Sequence, residues 1–244
     1  MRLYLFQCGT IRTEKFRLAA GADQKEEIEV PVPFFLIRHE RGNVLFDTGQ
    51  FRASVGHASA GDYRAQMSEE DYIVPQLAKV GLKPRDIDRI VLSHLHSDHA
   101  GGLEAFSDTL CYLQRKESET VPGKEIFFRK NGLRTVLLNG VEENPFDLFG
   151  DGCIRILYTP GHTPGHQSLL INLRQTGPVL LTADSVYLSE ILDRDILPGV
   201  FHSEKETRKT IARIRDMRGT GVRIITGHDP AEWALWKKAP DYYE

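Results

Sequence analysis

Ser93-His94-Leu95-His96-Ser97-Asp98-His99-Ala100-Gly101-Gly102 sets three imidazoles and one carboxylate within six positions, directly behind the apolar run Ile90-Val91-Leu92. Imidazole and carboxylate are the ligand types that Zn²⁺ and similar divalent metals prefer. An extended backbone through His94-Leu95-His96 would place both imidazoles on one face, because side chains alternate along a strand. Asp98 and His99 follow at the turn, where the paired glycines let the backbone fold tightly. One tetrahedral ion takes at most four protein ligands. A cluster this dense, with further candidates downstream, points to two ions.

Composition limits the alternatives. The 244 residues suffice for a large core and are expected to form one domain spanning 1–244. A net charge of −3 gives no electrostatic case for a nucleic acid or an anionic membrane as partner. The short apolar run Leu3-Tyr4-Leu5-Phe6 is too brief for a signal peptide, and no later stretch reaches transmembrane length. Cys8, Cys111 and Cys153 are far apart and odd in number, so a disulfide framework is not expected and a cytoplasmic location is. With no activating partner in sight, Cys111 and Cys153 read as core residues.

Outward from the motif, strands alternate with loops and helices. Arg2 to Gly9 reads as a strand, 13–29 as a loop, and Phe34 to Ile37 and Val44 to Phe46 as strands either side of a turn. Residues 50–68 read as a long loop that could shape a pocket, and 68–80 as a helix ended by Gly81. Beyond the motif, 116–131 reads as irregular and charged. Strands are expected at 110–113, 133–138, 154–158, 168–171, 179–181 and 222–225, with an amphipathic helix over 203–218. Ser203 and Glu206 supply a capping box for that helix. His94, His162, Asp184 and His228 each fall in the turn after an apolar strand, so strand ends along one sheet edge would bring them together. Strands interleaved with helices predict an α/β class with sheets covered by helices.

His-x-His-x-Asp-His resembles the metal signature of the metallo-β-lactamase superfamily. The resemblance implies the αββα sandwich of that superfamily. It also implies that His94, His96 and His162 hold one metal, that Asp98, His99 and His228 hold the other, and that Asp184 bridges them. Two divalent ions are implied, zinc foremost, with cobalt, manganese or iron as substitutes. Asp47 either caps its turn or, as in the superfamily, supports a metal-binding histidine. His166 matches a position that is not usually a ligand and reads as structural, while His39, His57 and His202 read as ordinary polar residues.

Within the superfamily the chain is most similar to the N-acyl-homoserine lactonases, the quorum-quenching branch. The likeness runs through 28–35, 93–102, 159–168, 181–187 and from 226 onward. It implies opening of a small-molecule lactone ring by metal-activated hydroxide. Tyr187, three residues after Asp184, would contact the substrate carbonyl, and a protonated Asp98 would serve as general acid. Ser97 stands where some lactonases carry a bulky apolar residue, which bears on acyl-chain preference. Other lactones, a thioester cleaved as by glyoxalase II, or iron-dependent redox chemistry are the rival readings. The aromatic tail of Trp233, Trp236, Tyr242 and Tyr243 would pack on the body or on a partner, making a homodimer plausible.

Overall fold

In the computed structural model, which describes residues 1–57, 61–120 and 132–244, alternation along the strands sorts the apolar side chains into layers. One sheet has seven strands in the order β4-β1-β2-β3-β5-β6-β7. These are β1 (Arg2–Glu14), β2 (Glu27–His39), β3 (Gly42–Phe46), β4 (Arg64–Gln66), β5 (Arg89–Val91), β6 (Leu110–Gln114) and β7 (Arg134–Leu138). The other has five, in the order β12-β11-β10-β9-β8. They are β8 (Phe146–Asp147), β9 (Ile154–Tyr158), β10 (Gln167–Leu173), β11 (Gly177–Leu181) and β12 (Arg223–Ile225).

Leu3, Leu5, Phe35, Ile37, Val44, Phe46 and Val91 from the first sheet share one core with Ile154, Ile156, Leu169, Ile171, Val179, Leu181 and Ile225 from the second. The alternate residues Tyr4, Phe6, Leu36, Leu45 and Ile90 belong to a separate core with Ile73 and Leu77 of α1 (Ile73–Ala78). Leu157, Leu180 and Ile224 join that same core with Ile211 and Ile214 of the helix Glu204–Gly219. Period-two burial on both faces is what a sheet sandwiched between another sheet and helices requires. The αββα sandwich is the fold observed.

Several local expectations change. The segment 13–29 is no simple loop, because β1 runs to Glu14 and β2 starts at Glu27, with Thr13 opposite Ile28. The stretch 50–68 contains β4, whose three residues pair with β1 at Thr10 to Arg12; 58–60 lie outside the described residues. The charged stretch from Lys116 enters the helix Arg115–Thr120, and 121–131 lie outside the described residues. Ser203 caps its helix by accepting from the Glu206 N–H, as expected. Cys111 is core, but Cys153 is only half-buried. Among the described residues, no helix is long and apolar enough to cross a membrane.

Candidate functional site

The predicted residues do converge, though not along one sheet edge. His94, His96, Asp98 and His99 follow β5 of the seven-stranded sheet, whereas His162, Asp184 and His228 follow β9, β11 and β12 of the other. The site lies where the same ends of both sheets meet.

Strand register builds its support. β3 pairs in parallel with β5, Phe46 opposite Val91, so the residues just beyond each strand lie level. Asp47 turns there with φ 60, a left-handed conformation that a short polar side chain tolerates. Its Oδ1 accepts the Ser93 N–H at 2.7 Å, and Oδ2 accepts the Ser93 hydroxyl at 2.8 Å and His99 Nδ1–H at 2.8 Å. With its proton given to Asp47, Ser93 Oγ is free to accept from His94 Nδ1 at 2.9 Å. His228 Nδ1 donates to the Pro31 carbonyl at 2.8 Å, and His162 Nδ1 lies 2.9 Å from the Tyr187 hydroxyl. Four imidazoles thus have Nδ1 tied outward, which leaves Nε2 of each pointing inward. His96 is the exception, presenting Nδ1 at 3.0 Å from His162 Nε2.

The inward atoms form two groups that could each hold an ion: His94, His96, His162 and Asp184, and Asp98, His99 and His228. Asp184 stands between them. Its Oδ2 lies 3.2 Å from His162 Nε2 and 3.6 Å from His94 Nε2. Its Oδ1 lies 3.0 Å from His99 Nε2 and 3.1 Å from His228 Nε2. Asp98 Oδ2 is 3.5 Å from both His99 Nε2 and His228 Nε2.

Electrostatics show what the cluster lacks. Burial alone would raise the Asp184 carboxyl, but His99, His228 and His162 outweigh it and hold it well below the carboxylate range. Burial likewise works to raise Asp98, yet His99 and His228 bring it down to about 2. Burial opposes charge on His99 too, but Asp184, Asp98 and Asp47 outweigh it and push the imidazole well above its ordinary value. In the other group burial wins, lowering His162 to about 4 and His94 well below its usual range. Despite their 3.0 Å approach, His99 Nε2 and Asp184 Oδ1 make no hydrogen bond and are sealed from solvent. Inward nitrogens and oxygens crowded this closely, with that pair left unbonded, fit a bound cation better than a hydrogen-bonded network. The residues present therefore fit divalent metal.

A cavity of about 600 Å³ opens onto this cluster. His96, Asp98, Asp184 and Tyr187 form its polar end, Ser97 stands on its wall, and Ile11, Leu18, Val30 and Val200 supply an apolar side. Burial and then Asp184 push the Tyr187 phenol well above its usual value, so it stays protonated. If His162 carries its hydrogen on Nδ1 and gives it to Tyr187 Oη, the tyrosine keeps its own O–H for a ligand. His166 is fully buried with Nδ1 on Thr159 Oγ1 at 3.0 Å, which suits the structural reading.

Two supports escaped the sequence reading. Ser93 is one, as the hydroxyl between Asp47 and His94. The other is Glu117, 1% exposed, whose Oε1 accepts the Leu95 N–H at 3.1 Å. Its Oε2 accepts the Thr163 hydroxyl at 2.6 Å and the Gly165 N–H at 3.1 Å. Leu95 separates His94 from His96, and Thr163 follows His162, so one carboxylate ties together the two loops that carry three of the donors. Three donors on two oxygens leave no place for an NH₂ group. Glu117→Gln is therefore expected to weaken metal affinity about 10- to 100-fold, as loss of a ligand's support does elsewhere. Competition with a chromophoric chelator measures this, and an unchanged affinity would refute the clamp.

His39, Asp151 and Cys153 form another potential donor group among the described residues. The Arg41 N–H donates to His39 Nδ1 at 3.1 Å, which leaves the hydrogen on Nε2, facing Asp151 Oδ2 at 3.1 Å. That tautomer offers a metal no lone pair, and the contact is a hydrogen bond from a neutral imidazole to a carboxylate.

The sequence profile of the metallo-beta-lactamase superfamily matches residues 28–228. The N-acyl homoserine lactonase AttM of Azorhizobium caulinodans is 34% identical over 261 residues, covering 100% of this chain and 99% of its own. An N-acyl homoserine lactonase of Bacillus cereus is 33% identical over 249 residues, covering 99% and 98%. A solved N-acyl homoserine lactone hydrolase, with the product N-hexanoyl-L-homoserine bound at its catalytic metal center, matches with a TM-score of 0.86. It is 30% identical, over 99% of this chain and 98% of its own.

Proposed function

From the premise that this chain belongs to the metallo-beta-lactamase superfamily, and within it to the N-acyl homoserine lactonases, we propose that it is a metal-dependent hydrolase that opens the lactone ring of N-acyl homoserine lactones. The observation that carries the reading is Asp184, one oxygen toward each donor group, with Tyr187 on the lining of the same cavity. In this reading His94, His96 and His162 hold one ion, Asp98, His99 and His228 a second, and Asp184 both, with zinc as the ion. Such a pair, when bound, supplies Lewis acidity and lowers the pKa of water from about 15.7 toward neutrality.

The chain's own groups do the rest. Tyr187 donates its O–H to the lactone carbonyl oxygen and stabilises the negative charge that grows there as the ring carbon turns tetrahedral. Asp98 is the general acid expected from the sequence, and it must gain a proton before it can give one. It therefore first takes the proton that the attacking water gives up, and then returns it to the departing alkoxide as the ring C–O bond breaks. Asp47 and Ser93 keep His99 and His94 in the tautomers that face inward. The apolar side of the cavity takes the acyl chain, with Ser97 leaving room on the wall. The lactone is the small-molecule partner; a homodimer and a cytoplasmic location complete the proposal, while the aromatic tail packs on the chain's own body through Trp233 on Gln7 and Tyr243 on Leu3.

Acid release followed in a pH-stat tests it, using zinc- or cobalt-loaded protein with short- and long-chain acyl homoserine lactones and S-lactoylglutathione alongside. Turnover of the acyl homoserine lactones that a chelator abolishes is expected; consumption of the thioester alone would remove the lactonase reading. Tyr187→Phe keeps the ring but not the donor. It is expected to lower kcat about a hundredfold while KM moves little, as for loss of a single oxyanion donor.

A further inference from the structure

Gln50 follows the turn that carries Asp47 and is only 3% exposed, yet it lines the same cavity as Asp98 and Tyr187. Its backbone is fixed. The N–H donates to Cys8 Sγ at 3.3 Å, and a Cβ built on Gly101 would lie 2.5 Å from the Gln50 carbonyl carbon. No such restraint holds the side chain, whose carboxamide makes no hydrogen bond among the described residues. Nor does it belong with the unpartnered polar atoms sealed from solvent, such as Thr13 Oγ1. A buried carboxamide that is neither bonded nor sealed opens into the cavity it lines. Buried polar groups are nearly always paired, so an open one at a ligand cavity awaits a partner.

We infer that Gln50 reads the amide of the substrate, so that the enzyme selects lactones bearing a secondary amide beside the ring. The inference rests on the lactonase reading and deepens it. A carboxamide offers an acceptor oxygen and donor hydrogens, and a secondary amide offers the reverse pair. Oε1 accepts the substrate N–H, and because the amide is trans its carbonyl points the other way and is left to another donor. The apolar residues Ile11, Leu18, Val30 and Val200 then receive the hydrocarbon beyond the amide, and the lactone is left at the polar end by Tyr187. A lactone without the amide leaves Gln50 desolvated and unpaired, which is how a site of this kind rejects an analogue.

The test compares an N-acyl homoserine lactone with the α-alkyl-γ-butyrolactone of equal chain length, which lacks both amide atoms. The metal-loaded wild type is expected to favour the amide at least about tenfold in kcat/KM. Gln50→Met and Gln50→Leu keep bulk but remove the amide group, and are expected to shrink that preference about 10-fold, mainly through KM of the amide substrate. Metal content and melting temperature confirm that the variants are folded. Equal wild-type efficiency on both lactones overturns the inference and leaves the lactonase reading standing, with no variant needed. A preference unchanged in the variants, or a proportional loss on both substrates, overturns it too. Failure of the wild type to open either lactone removes the parent reading instead.

Discussion

Asp184→Asn lowers kcat/KM for the acyl homoserine lactones by about three orders of magnitude and releases metal from the protein, because one side chain serves both donor groups. Its two oxygens lie 3.0 to 3.2 Å from His99, His228 and His162, whereas Asp98 faces only His99 and His228, so among the described residues no other carboxylate spans both groups. Asparagine keeps the shape but turns one oxygen into an NH₂ that would face imidazole nitrogens or cations. It also removes the negative charge that balances the cluster. Metal analysis beside steady-state kinetics checks both parts. A variant that retains its full metal content and more than about a tenth of the activity would show that Asp184 is not shared.

Removing the metal is expected to lower the melting temperature by about 10 °C. A ligand present at a thousand times its Kd stabilises the native state by about 4 kcal/mol, and for a chain of this size each kcal/mol moves Tm about 2–4 °C. Added to that is the strain left behind: Asp184 and Asp98 as buried anions, and His99 Nε2 without a hydrogen-bond partner. Scanning calorimetry with and without chelator, then with zinc restored, reads the change. Identical melting curves would mean that the cluster holds no ion under those conditions.

How much of this was legible in the sequence follows from where each signal is stored. The seven donors were visible because four crowd into 94–99 behind an apolar strand and His162, Asp184 and His228 each fall in the turn after another, a purely local pattern. Their convergence was visible as strand ends sharing an edge, but nothing local says that His94 and His162 leave different sheets. Ser93 and Glu117 could not be read. The role of Ser93 depends on the parallel register that sets Phe46 opposite Val91, and register is a long-range property. Glu117 stands in Arg115-Lys116-Glu117-Ser118-Glu119, where nothing distinguishes it from its solvated neighbours until the loops at Leu95 and Gly165 close over it. Similarly, β4 is three residues long, too short for alternation to show, and polar Thr13 and Glu14 concealed the far end of the long β1–β2 ladder.

The division of the donors between the two sheets also sets an order of assembly. Four of the seven come from the first hundred residues and three from beyond 160, the last being His228 in a chain of 244. A nascent chain therefore carries half a coordination shell through most of its synthesis, and no early intermediate can close a complete cluster. The same arrangement makes the centre a natural seam: two fragments parted between β7 and β8 would each be inert, and recovered hydrolysis would report that their sheets had docked.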